Sequence, residues 1–128
     1  MEKIIYYHDT DAGGVVYYGN YLKYLEEART EFLNQRGLTI QKFRENGYEY
    51  VVRKCSVLYR RPARYGDVIT CEARLKKITA TQLFFDQIVR NKNTGGILVE
   101  AEVSLACVSL PDFKPVPLSE NLAKKLQS

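Results

Sequence analysis

Apolar residues recur at helical spacing in one long segment of this 128-residue chain, residues 20–36. They fall at Tyr21, Leu22, Leu25, Ala28, Phe32 and Leu33. The charged residues that lie largely away from this face are Lys23, Glu27, Arg29 and Glu31. With Asn20 as a candidate N-cap and Gly37 as a candidate C′ residue, the pattern predicts an amphipathic helix of about five turns.

A second, shorter helix is predicted over residues 39–45. Thr39 is its candidate cap, and Leu38 and Phe43 occupy the positions of a hydrophobic staple. The rest of the chain reads mainly as strands, because Val and Tyr are frequent and apolar and polar residues alternate. The predicted strands are residues 3–7, 48–61, 68–76, 82–91 and 97–109, with a hairpin loop at 91–96 and a terminal helix at 119–126.

This order of elements predicts one α+β domain over residues 1–128. Successive strands joined by short turns form an antiparallel sheet, and such a sheet needs one face covered. Only the helix at residues 20–36 is long enough to cover it. The pattern therefore favours a sheet wrapped around one central helix, which is the hotdog architecture.

Composition excludes several classes of protein. The net charge of +4 is only mildly basic, and no nucleic-acid-binding motif is present, so a nucleic-acid partner is not expected. No apolar run reaches the ~20 residues of a membrane span, and the Met-Glu-Lys start has no basic and then apolar pattern, so neither a membrane span nor a signal peptide is expected. Cys55, Cys71 and Cys107 form no CxxC pair and are expected to be small buried hydrophobes. We therefore expect a reducing, cytoplasmic setting.

The main candidates for catalytic residues lie just before the long helix, where Asp9 and Asp11 precede the Gly13-Gly14 pair. A carboxylate near a helix start lies close to unpaired backbone N–H groups and the positive end of the helix dipole. Such a pair can supply an acid, base or nucleophile together with an oxyanion donor. From spacing alone, however, both aspartates read as turn or capping residues.

Calcium and zinc do not fit this stretch. Asp9, Asp11 and Gly14 match positions 1, 3 and 6 of a calcium loop, but Asn20 stands where that loop needs glutamate. His8 is the single histidine of the chain, so zinc-ligand spacing is absent. No metal site and no cofactor are expected, and His8 reads as a surface or hydrogen-bonded residue.

Two segments resemble the YbgC branch of the 4-hydroxybenzoyl-CoA thioesterase family. Residues 6–30 read Y-Y-H-D-T-D-A-G-G-V-V-Y-Y-G-N-Y-L-K-Y-L-E-E-A-R-T, and residues 50–67 read Y-V-V-R-K-C-S-V-L-Y-R-R-P-A-R-Y-G-D. The resemblance implies a hotdog fold and hydrolysis of acyl-CoA thioesters without metal or cofactor. It also implies a cytoplasmic homotetramer, built as a dimer of dimers with active sites at the dimer interface.

The resemblance also implies roles for individual residues. Asp11 matches the catalytic aspartate, and Tyr18 matches the position whose backbone N–H polarises the thioester carbonyl. Many relatives have histidine at the position of Tyr18. The resemblance therefore implies only the backbone N–H role for Tyr18, and no role that needs an imidazole side chain. Tyr7 and Glu26 match supporting positions. Thr79, Ala80 and Thr81 occupy the turn where some relatives place Arg or Lys against the CoA phosphates.

The candidate substrate-binding residues lie on and just after the strand at residues 48–61. Tyr48, Tyr50, Val51, Val52 and Tyr59 are candidates for the lining of an acyl or pantetheine tunnel, and ordinary packing is their alternative role. Arg60, Arg61 and Arg64, with Lys76 and Lys77, form the densest basic region. Arg61 and Arg64 are the candidate contacts for the CoA phosphates, with a solvated charged rim as the alternative.

Three alternatives stay open at this point. Thioester hydrolysis by Asp11 can run through an anhydride or through general-base activation of water. A hotdog dehydratase would need a catalytic histidine, and His8 lies outside the matching position. A scaffold that binds acyl thioesters or acyl carrier protein in envelope or phospholipid metabolism is the non-enzymatic reading. The acyl group itself is not readable from the sequence.

Overall fold

A five-stranded antiparallel sheet forms the framework of the protein. The computed structural model describes residues 1–127. Its elements in chain order are β1 (Glu2–Ile4), a 3₁₀ turn (Tyr7–Asp9), α1 (Asn20–Gln35), α2 (Ile40–Glu45), β2 (Tyr48–Tyr59), β3 (Val68–Ile78), β4 (Gln82–Asn91), β5 (Ile97–Ser109) and α3 (Glu120–Gln127). The strands lie side by side in the order β1-β3-β4-β5-β2.

The core lies between α1 and one face of this sheet. Buried residues alternate along β4, as they do when one face of a strand is covered, whereas β5 is buried without a break from Val103 to Val108. The buried sheet residues include Ile69, Cys71, Leu83, Phe85, Val89 and Val103, and those of α1 include Tyr21, Tyr24, Leu25, Ala28 and Leu33. Bulges at Val52–Lys54 in β2 and Leu75–Lys77 in β3 bend the sheet around the helix. The predicted α+β hotdog fold is confirmed.

Most predicted elements are present, and two boundaries at the N-terminal end differ. The first strand ends at Ile4 rather than at residue 7, because Tyr7–Asp9 turns away as a 3₁₀ turn. The prediction of Asn20 as N-cap was wrong: Gly19 holds that position without a side-chain bond. The Asn20 amide instead donates to the Asp9 backbone carbonyl at 3.0 Å. This bond ties the helix start to the acidic turn.

The predicted end of α1 and start of α2 are confirmed. Gly37 follows the C-terminal end of α1 with φ of 73°, a conformation that glycine adopts without steric cost. The Thr39 hydroxyl accepts a hydrogen bond from the Lys42 N–H at 3.1 Å. β2 ends at Tyr59, two residues before the predicted end, because the Arg60 and Arg61 N–H groups both donate to the Leu98 carbonyl.

The three cysteines do not share one environment. Cys71 and Cys107 are buried, as predicted, and burial raises the pKa of the Cys71 thiol to about 12. Cys55 is exposed on β2, so the prediction that it is a buried hydrophobe was wrong. β2 is the outermost strand on its side of the sheet, which leaves its residues less covered. No helix within residues 1–127 is long and apolar enough to cross a membrane.

Candidate active site

Asp11 lies on a tight hairpin just before α1. A bridge between Thr10 and Val16 closes the hairpin, and the Asp11 N–H donates to the Val15 carbonyl at 2.9 Å. The Asp11 side chain is exposed, and its Oδ1 accepts a hydrogen bond from the Gly13 N–H at 2.8 Å. Within residues 1–127 this is the only hydrogen bond to the carboxylate. Its other oxygen is therefore available to a ligand.

Asp9 is held differently, although it stands only two residues earlier. Its side chain is buried and accepts the Tyr6 N–H at 2.9 Å, which closes the 3₁₀ turn. Its second carboxylate oxygen lies 3.6 Å from Nδ1 of His8. Burial, with the Asp9 carboxylate as a second cause, raises the pKa of the nearby Tyr24. The predicted role of Asp9 in stabilising the turn is confirmed.

The hairpin is anchored on two sides. The Tyr17 N–H donates to the Asp9 carbonyl at 3.0 Å, and the Val16 N–H donates to the Ala63 carbonyl at 2.9 Å. Ala63 in turn donates its N–H to the buried Tyr21 hydroxyl at 3.0 Å. The connection between β2 and β3 is thereby fixed against both the hairpin and α1.

The start of α1 carries unused hydrogen-bond donors. Within the described part of the chain, the N–H groups of Tyr18 and Gly19 make no hydrogen bond. These are the groups that a helix N-terminus leaves unpaired, and the helix dipole makes that end favourable for negative charge. The hairpin that carries Asp11 ends at Tyr17, which bonds back to Asp9. The Tyr18 and Gly19 N–H groups therefore come directly after this hairpin in the chain. The arrangement can hold an oxyanion beside a carboxylate.

Tyrosine rings surround the helix start. The Tyr59 hydroxyl donates to the Tyr18 carbonyl at 3.3 Å, and the Tyr59 ring lies 6.3 Å from the ring of Tyr18 and 5.7 Å from that of Tyr21. The structure thus brings two of the predicted site residues, Tyr18 and Tyr59, together. Tyr7 is 79% exposed and contacts the Tyr65 ring edge-on at 6.0 Å.

An apolar cavity of about 410 Å³ lies farther along α1, between that helix, α2, β2 and β5. This volume is within the range of small-molecule sites. Its lining residues are Leu22, Leu25, Glu26, Arg29, Thr30, Leu33, Ile40, Phe43, Glu49, Tyr50, Val52, Cys55, Val103 and Leu105. Val52 and Tyr50 were candidates from the sequence, whereas Val51 does not line this cavity, and its role stays a prediction.

Sequence reasoning misplaced Arg29, one of the α1 residues that line the cavity. Helical spacing placed Arg29 among the charged residues away from the apolar face, and this was wrong, because Arg29 is 7% exposed. Its Nη1 donates to Oε1 of Gln87 on β4 at 2.9 Å. No pattern within the sequence of α1 predicts that Arg29 bonds to Gln87, which lies 58 residues farther along the chain.

Arg61 and Arg64 lie on the exposed surface of the connection after β2. The backbone of Arg64 forms a bridge with Val15 of the hairpin, so this basic segment adjoins the loop that carries Asp11. Arg60, in contrast, pairs with Glu100 at 2.7 Å. Within residues 1–127, no group of three or more His, Cys, Asp or Glu side chains could hold a metal ion.

Comparisons with known proteins identify the family of the chain. The sequence profile of the Thioesterase-like superfamily matches residues 6–126. The acyl-CoA thioester hydrolase YbgC of Escherichia coli O157:H7 is 38% identical over 124 residues, which cover 96% of this chain and 91% of that protein. The acyl-CoA thioesterase YbgC of Haemophilus influenzae is 37% identical over 88% of this chain and 82% of its own length. A hypothetical protein from Aquifex aeolicus is similar in structure, with a TM-score of 0.90, 28% identity and coverage of 98% and 97%.

The two aspartates are expected to differ in their effect on stability. Asp9→Ala should lower the free energy of unfolding by about 1–3 kcal/mol, because it removes the acceptor for the Tyr6 N–H from a buried position. Asp11→Ala, at an exposed position, should change it by about 0.5 kcal/mol or less. Urea denaturation of both variants measures the difference. Equal losses of stability would contradict this division of roles.

Proposed function

Because this chain belongs to the thioesterase-like superfamily and is a thioesterase, we propose that it hydrolyses acyl-CoA to a free acid and CoA. In this proposal Asp11 is the nucleophile or general base, and the Tyr18 backbone N–H is the oxyanion donor. One observation carries it: the exposed Asp11 carboxylate lies on a hairpin that leads directly into the unpaired N–H groups at the start of α1. The two YbgC relatives named above are an acyl-CoA thioester hydrolase and an acyl-CoA thioesterase.

Two reaction routes use this geometry. In the first, an Asp11 oxygen attacks the thioester carbonyl, CoA leaves as the thiolate, and water hydrolyses the resulting anhydride to the acid and free Asp11. In the second, Asp11 takes a proton from water while that water attacks the carbonyl; the tetrahedral intermediate then expels the CoA thiolate, and the proton on Asp11 passes to that thiolate or to solvent. Both routes place negative charge on the carbonyl oxygen. The Tyr18 N–H and the positive end of α1 stabilise that charge in either case.

The phenol of Tyr18 has no chemical part in this proposal. Its ring packs between Tyr17, at 4.7 Å, and Tyr59, at 6.3 Å. Those contacts hold the backbone at the helix start, whereas catalysis needs only the N–H. Tyr7 and Val51 remain proposed substrate contacts, together with Val52 and Tyr59.

We assign the CoA phosphates to Arg61 and Arg64. Both guanidinium groups are exposed, and neither forms an ion pair within residues 1–127. Of the other cations in the basic region, Arg60 pairs with Glu100, Lys76 pairs with Glu102, and Lys77 lies over the Phe84 ring. Unpaired guanidinium groups next to the Asp11 hairpin are therefore the donors left for a polyanionic substrate.

We further propose that the enzyme acts in the cytoplasm as a homotetramer, a dimer of dimers with active sites at the dimer interface. Support comes from β2, a 12-residue outer strand whose second edge has no partner in the described chain. Its Val52 and Leu58 are each 53% exposed. A long edge strand with exposed apolar residues is a natural surface for pairing with a second copy.

Asp11→Asn should lower kcat for acyl-CoA hydrolysis at least about 100-fold while KM changes little, because the substitution keeps size and removes the charge. The test uses acyl-CoAs of graded length and an aromatic one. Tyr18→Phe is the matched control, and its kcat should stay close to that of the wild type. An inactive wild type, or equal activity of Asp11→Asn, would contradict the proposal and favour an acyl-thioester or acyl-carrier-protein scaffold.

Charge reversal at Arg61 or Arg64 should raise KM for acyl-CoA about tenfold and lower kcat much less, because the phosphates bind far from the reacting carbonyl. Lys114→Glu makes the same charge change on the exposed C-terminal segment and should leave KM unchanged. Steady-state kinetics of the three variants distinguish the sites. An unchanged KM at either arginine would remove that residue from the phosphate site.

A further inference from the structure

Tyr59, at the end of β2, donates a hydrogen bond to the backbone at the start of α1. The acceptor is the carbonyl oxygen of Tyr18, which lies 3.3 Å from the Tyr59 hydroxyl although the two residues are 41 positions apart in the chain. A carbonyl has no hydrogen to give, so the tyrosine is the donor. This contact ties β2 to the helix start at which the proposed reaction develops negative charge.

The bond acts on one particular peptide group. The Tyr18 carbonyl and the Gly19 N–H belong to the same peptide unit, and that N–H makes no hydrogen bond within residues 1–127. A hydrogen bond to the carbonyl of a peptide polarises the whole unit and makes its N–H a stronger donor. The Tyr59 hydroxyl therefore strengthens an unused donor that stands next to the Tyr18 N–H.

The two unused N–H groups point in the same direction. The Asn20 N–H donates to the Tyr17 carbonyl at 2.9 Å, which closes a β-turn with Tyr18 and Gly19 at its centre. Gly19 has φ of −64° and ψ of −24°, a right-handed helical conformation. These angles fit a type I turn, in which both central residues lie near that conformation. Their N–H groups thus point out of the helix start, where one oxygen can accept from both.

Tyr59 is the side chain that reaches these peptide groups. The Tyr17 carbonyl, which shares a peptide unit with the Tyr18 N–H, accepts from the backbone of Asn20. The Tyr18 carbonyl accepts from the Tyr21 N–H at 3.3 Å and from the Tyr59 hydroxyl at the same distance. Within residues 1–127, no other side chain donates to either carbonyl. A change at Tyr59 can therefore alter the second peptide group without changing the helix backbone itself.

Tyr59 is itself held in place before any substrate binds. It pairs with Val99 of β5, and the N–H of the next residue, Arg60, donates to the Leu98 carbonyl at 2.8 Å. The Tyr59 ring lies 5.7 Å from the ring of Tyr21, which is only 3% exposed. A donor that is fixed in advance does not have to reorganise when charge develops.

The same peptide group is confined from a second side. A Cβ at position 19 would lie 2.7 Å from Cε2 of the Tyr17 ring, a distance too short for two carbon atoms. The Tyr17 ring thus lies against Gly19 at a distance that only glycine allows. Between this ring and the Tyr59 hydroxyl, the Tyr18–Gly19 peptide has little freedom to rotate.

From these contacts we propose that Tyr59 is a positioning residue for the oxyanion site. Its hydroxyl holds and polarises the Tyr18–Gly19 peptide, so that the Gly19 N–H joins the Tyr18 N–H as a donor to the oxyanion. The inference rests on the proposed function and adds a second donor, with its support, to that site. The Tyr59 ring stays a proposed substrate contact, whereas its hydroxyl acts only through the backbone. The effect is largest in the transition state, when charge develops on the thioester oxygen.

Tyr59→Phe removes the hydroxyl and keeps the ring. Its kcat for acyl-CoA hydrolysis should fall about three- to tenfold, which is less than the loss of a direct oxyanion donor causes, and KM should change less than about twofold. Tyr65→Phe is the matched control, because it removes the hydroxyl of a tyrosine that is 64% exposed, and it should leave kcat and KM unchanged. An unchanged kcat in Tyr59→Phe, or an effect on KM alone, would overturn the inference.

The carbonyl of a bound acyl-CoA separates polarisation from a merely structural role. In Asp11→Asn, the stretching frequency of the bound thioester carbonyl should lie below that of the free molecule, and adding Tyr59→Phe should reverse part of this shift. The melting temperature of Tyr59→Phe should stay close to that of the wild type, since the hydroxyl bond lies at an exposed position. A lower kcat with an unchanged carbonyl frequency would leave Tyr59 a structural role alone and overturn the inference.

Failure of the proposed function gives a different result. A wild type that is inactive on every acyl-CoA, or an Asp11→Asn variant as active as the wild type, would contradict the proposed function and this inference together. Hydrolysis that depends on Asp11 but not on the Tyr59 hydroxyl would contradict the inference alone. The same set of kinetic measurements therefore distinguishes the two failures.

Discussion

The site depends on one backbone carbonyl, that of Asp9. It accepts hydrogen bonds from the Tyr17 N–H and from the Asn20 side-chain amide, each at 3.0 Å. These bonds close residues 10–16 into a hairpin and fix the hairpin at the first residue of α1. As a result, Asp11 and the unpaired N–H groups of Tyr18 and Gly19 belong to one short, doubly anchored segment. Pre-organised donors of this kind are worth most where charge develops in a reaction.

Two aspartates of the same motif serve different ends because their surroundings differ. Asp9 is buried and accepts the Tyr6 N–H inside the turn, whereas Asp11 is exposed and has one carboxylate oxygen without a hydrogen bond in residues 1–127. The buried residue builds the loop, and the exposed one is left for the substrate. Farther along α1 lies a mainly apolar cavity whose lining includes the buried Arg29, which donates a hydrogen bond to Gln87.

Local patterns in the sequence predicted the fold correctly, but they did not predict the cavity or all of its lining residues. Strand-like segments bounded by turn residues located β4 and β5 at their observed bounds. Asp11 stood out only through the resemblance, since its spacing also fits a turn. Arg29 was misplaced because its burial depends on Gln87, a residue distant in sequence. Cys55 was misplaced because strand order, which sequence does not display, puts β2 at the outside of the sheet.

The most direct test of the account is the stretching frequency of the thioester carbonyl in a bound acyl-CoA. Asp11→Asn is the protein to use, since it should bind the substrate and turn it over slowly. If the Tyr18 N–H and the positive end of α1 polarise the carbonyl, its frequency falls below that of the same acyl-CoA free in solution. A bound carbonyl with the frequency of the free molecule would contradict the placement of the thioester at the start of α1.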